Sequence, residues 1–399
     1  MAQDMEQLYQ QRLKRYVTAM RNGKPDMVPI RPFVAEFTAK YAGYTCQQVC
    51  QDYEIAFDAA RKCAAAFDWD AVVANMVYGW MGFAQALDLK YYAVPGVHVA
   101  PTNAFQYREP SEEDAWMQPE DYDEFASDLM GYLWNKWLPR VAKEVNGPDG
   151  PATYRNNVAL VKSGMGMLNY FHAFGTQAAR LRKESGTVSA ISGILKAPFD
   201  ILADKFRGYI GLTMDLFERP EKVKKACEAL MPHLLWMALS GADPDKNVPI
   251  AIWMHRGCVP FVNHDQFRDL YWATLKPIIE EIWRRGHQTL FYAEGKWGAH
   301  LQSFRELPAG SIIYHCDQDD IFQVHRELHD KFAISGGGVP NYMLQIGKPQ
   351  QIREYVKKVI EGVAKDGGYI MDASAIVQDD AKTENIQAMT DAAREYGQY

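Results

Sequence analysis

Apolar and polar positions follow two rhythms along this chain. Short apolar runs, such as those from Pro249 to His255, His287 to Glu294 and Ser311 to His315, are separated by longer stretches with a helical period. An amphipathic opening helix is predicted over about residues 4 to 22 and ends at Asn22-Gly23-Lys24-Pro25, where glycine and proline stop it. Strands are predicted at 28 to 34, 70 to 75, 157 to 163, 188 to 194, 249 to 255, 288 to 294, 311 to 315, 332 to 335 and 368 to 372. Helices cover roughly 46 to 67 and most later intervals. The acidic text from Glu109 to Glu124 reads as a loop, followed by a long helix to about 144 and a break at Gly147-Pro148-Asp149-Gly150-Pro151. Strands alternating with helices imply parallel pairing and right-handed crossovers. About eight or nine strand candidates favour a closed eight-stranded α/β barrel over an open sheet. No linker divides the chain, so residues 1–399 read as one domain whose first 67 or so residues are a mostly helical extension with the first strand.

Composition narrows the function classes. A net charge of -7, with no Lys and Arg cluster interleaved with aromatics, excludes a nucleic-acid surface. The opening residues have no apolar core for export and no later run is long enough to span a bilayer, so a cytoplasmic protein away from membranes is expected. Six cysteines (46, 50, 63, 227, 258 and 316) lack CxxC spacing and read as reduced thiols, with Cys46 and Cys50 on the packed side of a helix. Aromatic residues make up 13% of the chain and cluster at Tyr78, Trp80, Phe83, Tyr91, Tyr92, Phe105 and Tyr107, and again over 165 to 174. They read either as the lining of an apolar pocket or as cover for the barrel and a homodimer interface.

The candidate chemistry lies at strand ends. Glu294 and His315 each end a strand, 21 positions apart, which is one strand-helix-strand repeat. In an α/β barrel both would share the carboxyl-end rim, where a carboxylate and an imidazole are donors suited to zinc. His255 ends the preceding strand and is the third metal ligand that topology nominates; Asp372, at the last strand, is the other candidate. Tyr292, two residues before Glu294, faces the same side and is placed to hydrogen-bond a leaving oxygen. The structural alternatives are a solvated carboxylate for Glu294, a hydrogen-bonded rim histidine for His315, a loop anchor for His255 and core packing for Tyr292. Glu280 and Glu281 fall late in a helix, at the opposite face, and read as surface residues. The run Asp317-Gln318-Asp319-Asp320 reads as a helix cap, Asn263 as another, and the glycines at 336 to 338 as a close backbone approach.

The order of several segments resembles the uroporphyrinogen decarboxylase superfamily. Arg21 to Ile30 is similar to its opening "GxxPDRVPV" stretch, and Ala197-Pro198-Phe199-Asp200 through Met214 to Val223 to "GPF…LLDLYERPELV". Ile334 to Pro340 with Gly347-Lys348-Pro349 is similar to "GNxDP…GTP", and Glu384 to Met389 to "ENIRAM". The resemblance implies a distorted (β/α)8 TIM barrel with a deep cleft at the carboxyl face. The decarboxylase's arginine-rich "MRQAGR" stretch is replaced here by Phe33 to Tyr41, which removes the clamp for a tetracarboxylate. The corrinoid-dependent methyltransferase branch holds zinc with an HxC pair and a later Cys, positions that become Tyr292, Glu294 and Ala375.

Oxygen and nitrogen ligands in place of thiolates would leave a metal better able to polarise an ether oxygen. The resemblance therefore implies a zinc-dependent methyltransferase that moves a methyl group from an aryl or small alkyl methyl ether to the cobalt(I) of a cobalamin-type corrinoid on a partner protein, as in O-demethylation. A metal-free lyase or decarboxylase of the same superfamily, and a non-catalytic binding subunit, are the alternatives.

Overall fold

The computed structural model describes residues 4–73 and 80–399. Its strands are β1 (Ala71–Val72), β2 (Tyr92–Ala93), β3 (Gln106–Tyr107), β4 (Val188–Ser189), β5 (Gly193–Lys196), β6 (Ile250–Met254), β7 (Thr289–Ala293), β8 (Ile312–Cys316), β9 (Ala333–Gly336) and β10 (Tyr369–Ile370). Apart from the small antiparallel hairpin of β2 and β3, all pair in parallel, six of them in the order β10-β9-β8-β7-β6-β5. Every residue of β6, β7 and β8 is buried. Burial on both faces explains why these strands read as continuous apolar runs rather than alternating ones.

Hydrogen bonds beyond the named strands close the sheet on itself. β4 pairs with β1, and three residues later the same extended run becomes β5 against β6, with Ala190 N–H donating to Val72 O and Ser192 N–H to Pro249 O. Across the remaining gap lies the extended segment 28–34. Met371 N–H donates to Pro29 O and Arg31 N–H to Met371 O on one side, while Asp70 and Ala71 N–H donate to Ile30 O on the other. Counting 28–34 and the run β4–β5 as one strand each, the ring has eight strands, which is the (β/α)8 barrel expected.

Two sets of apolar residues follow from the alternation of side chains along each strand. Ile250, Ile252, Phe291, Tyr314 and Ile334 face the outer helices, whereas Ala251, Trp253, Leu290, Tyr292, Ile313 and Ala333 fill the interior. The opening helix Met5–Met20 closes the amino-terminal end by placing Tyr16, Ala19 and Met20 in that interior cluster, with Tyr16 O–H donating to Ala190 O at 3.1 Å. This leaves the carboxyl ends of the strands as the open mouth.

The expected strand at 157 to 163 is instead part of the helix Tyr154–Ser185. Thr153 starts it with a reciprocal cap, its hydroxyl accepting from Asn156 N–H while the Asn156 side chain accepts from Thr153 N–H. Gly186, at φ 60°, ends it in the left-handed conformation. Met165, Leu168 and Phe171, from the second aromatic-rich stretch, are exposed on this helix and do not line the mouth. The helix expected up to 144 is broken into Tyr122–Ser127, Leu129–Tyr132, a π-helical turn Leu133–Trp137 and Leu138–Val141. The expected strand 70 to 75 is described to residue 73, and Tyr78 lies outside the described residues. No helix among the described residues is long and apolar enough to cross a membrane.

Two buried carboxylates hold the seam. Asp70, fully buried, accepts from Arg15 Nη1 at 2.5 Å, Arg394 Nη1 at 2.9 Å and Ile30 N–H at 2.8 Å, tying the opening helix and the last helix to the first strands. Asp372 accepts from Phe33 N–H at 3.2 Å and lies 3.7 Å from Arg31 Nη2. Arg31 is itself fully buried, stacked 4.6 Å from the Phe33 ring, and its guanidinium has no hydrogen-bond partner among the described residues. Burial pushes the Asp372 carboxyl up to about 7 although Arg31 and the backbone N–H groups pull it down.

Asp70→Ala takes a buried acceptor from Arg15, Arg394 and the Ile30 N–H, leaving the arginines only Asp26 and Asp68 as charged partners, and is expected to destabilise the fold by about 3 kcal/mol in urea unfolding, whereas a loss below about 1 kcal/mol would contradict this role. For Asp372 the folded pKa is raised, so its contribution is fully present below the unfolded value and is lost as pH rises through about 7. The stability of the wild type relative to Asp372→Asn is therefore expected to fall between pH 4 and pH 8, by up to about 4 kcal/mol, and a pH-independent difference would refute it.

Candidate functional site

The floor of the mouth is a row set by strand register. Trp253 pairs with Tyr292, Tyr292 with His315 and His315 with Ser335. Neighbouring strands lie about 4.8 Å apart, so planar side chains on one row meet face to face. Trp253 and Tyr292 stack at 4.0 Å between centroids, and Tyr292 and His315 at 4.5 Å, both with planes within 14°. Phe33 stands edge-on to all three rings, at 5.6, 4.7 and 5.3 Å. All four residues are buried.

His315 Nε2 lies 3.1 Å from Ser374 O, a carbonyl that only accepts, so Nε2 carries the proton and Nδ1 accepts from Ser335 Oγ at 3.2 Å. Burial, reinforced by Arg31, holds the ring well below the usual histidine range and keeps it neutral. Burial likewise pushes the Tyr292 phenol far up, so it keeps its proton.

Glu294 lies two residues beyond Tyr292, and because His315 is level with Tyr292, the glutamate is one layer nearer solvent than the histidine. Its carboxylate is exposed and Oε2 accepts from the Trp253 indole N–H at 2.8 Å. His255 turns away from both, with Nε2 2.9 Å from Asp204 Oδ2. Cys258 donates to His255 O, and Asp372 is occupied by Arg31 and Phe33 N–H. The structure thus does not bring Glu294, His315 and His255 together, and no three His, Cys, Asp or Glu residues among those described gather as a metal site. A catalytic zinc needs three protein donors at about 2 Å with free lone pairs. Among the described residues this arrangement does not offer them.

A cavity of about 510 Å³ opens above β8, β9 and β10, its wall including Lys296, Asp317, Asp319, Asn341, Tyr342 and Ser374. Ser374 connects it to the floor, since its carbonyl holds His315. Asp317, the residue following β8, accepts from Gly295 N–H at 2.7 Å. Burial lifts its carboxyl to about 6, Glu294 and Asp319 adding to the rise while the Gly295 N–H opposes it. Of the acidic run, Asp320 is the helix cap expected, accepting from Phe322 N–H, whereas Asp319 accepts from Trp297 and Gly298 N–H. The close approach expected at the glycines is present: a Cβ at Gly338 would collide with Asp372 O, and Gly336 and Gly337 have φ of 74° and 60°. Asn263 caps its helix, and Glu281 pairs with Arg284 and Arg285 on the surface.

Sequence reasoning missed Trp253, Phe33, Arg31 and Asp204. The first two carry no signal beyond an aromatic on a predicted strand, and Asp204 sits on a π-helical turn, Leu202–Arg207, that no periodicity announces.

The whole fold is similar to that of a methyltransferase from Methanosarcina mazei, with a TM-score of 0.64 and 13% sequence identity over 96% of this chain and 98% of that one. No curated protein sequence matches the chain. Residues 138–396 match the family described as uroporphyrinogen decarboxylase (URO-D). With the barrel, its plugged amino-terminal end and the site at the strands' carboxyl ends, this match over more than half the sequence places the chain in the uroporphyrinogen decarboxylase family.

Proposed function

We propose that the protein is a methyltransferase that moves the methyl group of a small or aryl methyl ether to the corrinoid of a separate protein. The observation that supports this reading is the similarity of the whole fold to a methyltransferase, and the chain's own thiols are no rival acceptor for a methyl group. All six cysteines are buried, and burial pushes their thiols upward, to about 11 even for Cys46 and Cys258, which are the least affected. A methyl group released at this mouth needs an acceptor that arrives from outside. The missing arginine-rich stretch argues against a tetracarboxylate substrate.

A corrinoid brought by a partner protein would supply the electron pair that takes the methyl carbon as its bond to oxygen breaks. The ether oxygen keeps the electrons of that bond and needs a proton. Asp317 is the group placed to give it, because it lines the cavity and holds a proton to about pH 6. The Tyr292 phenol, buried one layer below Glu294, keeps its proton and stiffens the aromatic floor. The floor keeps water from beneath the reacting carbon. A decarboxylase reading has one feature in its favour, the Arg31 and Asp372 pair, but both residues are fully buried.

The test is methyl transfer from 2-methoxyphenol to free cob(I)alamin, followed by absorbance. The wild type is expected to turn over, with a rate that falls as pH rises through about 6, and Asp317→Asn to lose about 100-fold or more and the pH dependence with it. An unchanged rate and profile in Asp317→Asn would refute the proton donor. Failure of methyl transfer from a panel of ethers, with release of carbon dioxide from carboxylated compounds, would favour the decarboxylase.

A further inference from the structure

Where β5 and β6 end, a second polar corner faces the mouth. Lys196, the last residue of β5, is level with Trp253, and His255 lies two residues beyond Trp253, about 6.6 Å further toward solvent on the same side of the strand. Three basic side chains converge there on one carboxylate. Lys196 Nζ, His255 Nε2 at 2.9 Å and Arg256 Nε at 3.2 Å all reach Asp204, which stands on the π-helical turn Leu202–Arg207. Such turns recur at functional sites. Burial alone would raise the Asp204 carboxyl, but His255 and Lys196 outweigh it and keep it ionised.

Asp204 does not use up the donors around it. The Arg256 guanidinium packs against the Tyr209 and Phe261 rings, 5.0 and 5.5 Å from their centroids, the two rings meeting each other edge-on at 4.9 Å. Its backbone N–H donates to Asp200 Oδ1 at 2.7 Å, and Nε is its one side-chain nitrogen with a protein acceptor among the described residues. Its two terminal nitrogens therefore present an unpaired planar edge, at a side chain 20% exposed. His255 Nδ1 is buried and also without a partner.

Two other carboxylates, Asp200 and Glu109, act on Arg256, but among the described residues neither bonds its terminal nitrogens. Asp200 is fully buried, its carboxyl raised by that burial, and its Oδ2 accepts from Tyr271 O–H. Glu109 is exposed and accepts from Tyr209 N–H. Lys205 donates to Tyr92 O–H at 2.9 Å, with burial holding its amine down to about 7. A guanidinium edge with two nitrogens unpaired among the described residues matches a carboxylate in a bidentate pair.

We propose that the Lys196, Asp204, His255 and Arg256 corner binds a carboxylate of the substrate through Arg256, so that the methyl donor used by this protein is a carboxylate-bearing ether. The nature of the donor rests on the methyl-transfer reading; the anion subsite does not. Packing against Tyr209 and Phe261 and the Nε–H bond to Asp204 hold the guanidinium in place before the ligand arrives.

The test compares 4-methoxybenzoate with the neutral 4-methoxybenzamide, and benzoate with benzamide, by calorimetric titration of the full-length protein. The wild type is expected to bind each acid at least tenfold more tightly than its amide. Arg256→Gln is expected to abolish that preference while the protein still binds the amide and still unfolds cooperatively in urea, and Arg256→Lys to restore only part of it. Absence of acid-selective binding, or a preference that survives Arg256→Gln, overturns the subsite. Arg256-dependent binding of benzoate without demethylation of methoxybenzoate would leave the subsite standing and remove the methyl-transfer reading. Equal demethylation of the acid and the amide, untouched by Arg256→Gln, would do the reverse.

Discussion

The spacing of neighbouring parallel strands constrains everything at the mouth of this barrel. Because side chains on one row of β6, β7 and β8 are held at the distance of stacked rings, Trp253, Tyr292 and His315 form a continuous column that Phe33 closes from the side. The column is buried, and its indole and imidazole nitrogens have partners. The Trp253 indole N–H goes to Glu294 and the His315 Nε2–H to Ser374 O. Glu294 and Ser374 are thereby positioned from below, so the polar rim inherits its geometry from the aromatic floor.

Above that floor the mouth divides into two chemically different sides. Over β8 to β10 lies an acidic cavity, where Asp317 shares its surroundings with Glu294 and Asp319 and holds a proton more tightly than an ordinary aspartate. Over β5 and β6 lies a basic corner built around Asp204. A substrate lying across the floor would have its proton source on one side and a charge anchor on the other. The buried Arg31 and Asp372 sit beneath both, and belong to the barrel's closure.

Much of the barrel was legible because strands buried on two faces leave an unmistakable record. The runs read at 288 to 294 and 311 to 315 became Thr289–Ala293 and Ile312–Cys316. The stretch 157 to 163 misled because Val158, Leu160 and Val161 imitate a strand, while the Thr153 and Asn156 cap that starts a helix uses Asn where Glu or Gln is the familiar signal. The candidate site was legible as a place rather than as a geometry. Glu294 and His315 do lie at adjacent strand ends, but sequence spacing does not report register, and a two-residue offset set them on different layers. The pairing of His255 with Asp204, 51 positions apart, depends on a helical turn whose phase cannot be read from periodicity.

The column stands or falls with the state of His315, the ring in it that can hold its proton on either of two nitrogens. Nitrogen-15 NMR of histidine-labelled protein reads that state directly, with His315→Gln to assign the signal. The expected result is a neutral ring protonated at Nε2 from pH 5 to pH 8, as burial and the Ser374 carbonyl require. An imidazolium, or a neutral ring carrying its proton on Nδ1, would contradict the stacked, buried floor from which the rest of the site is built.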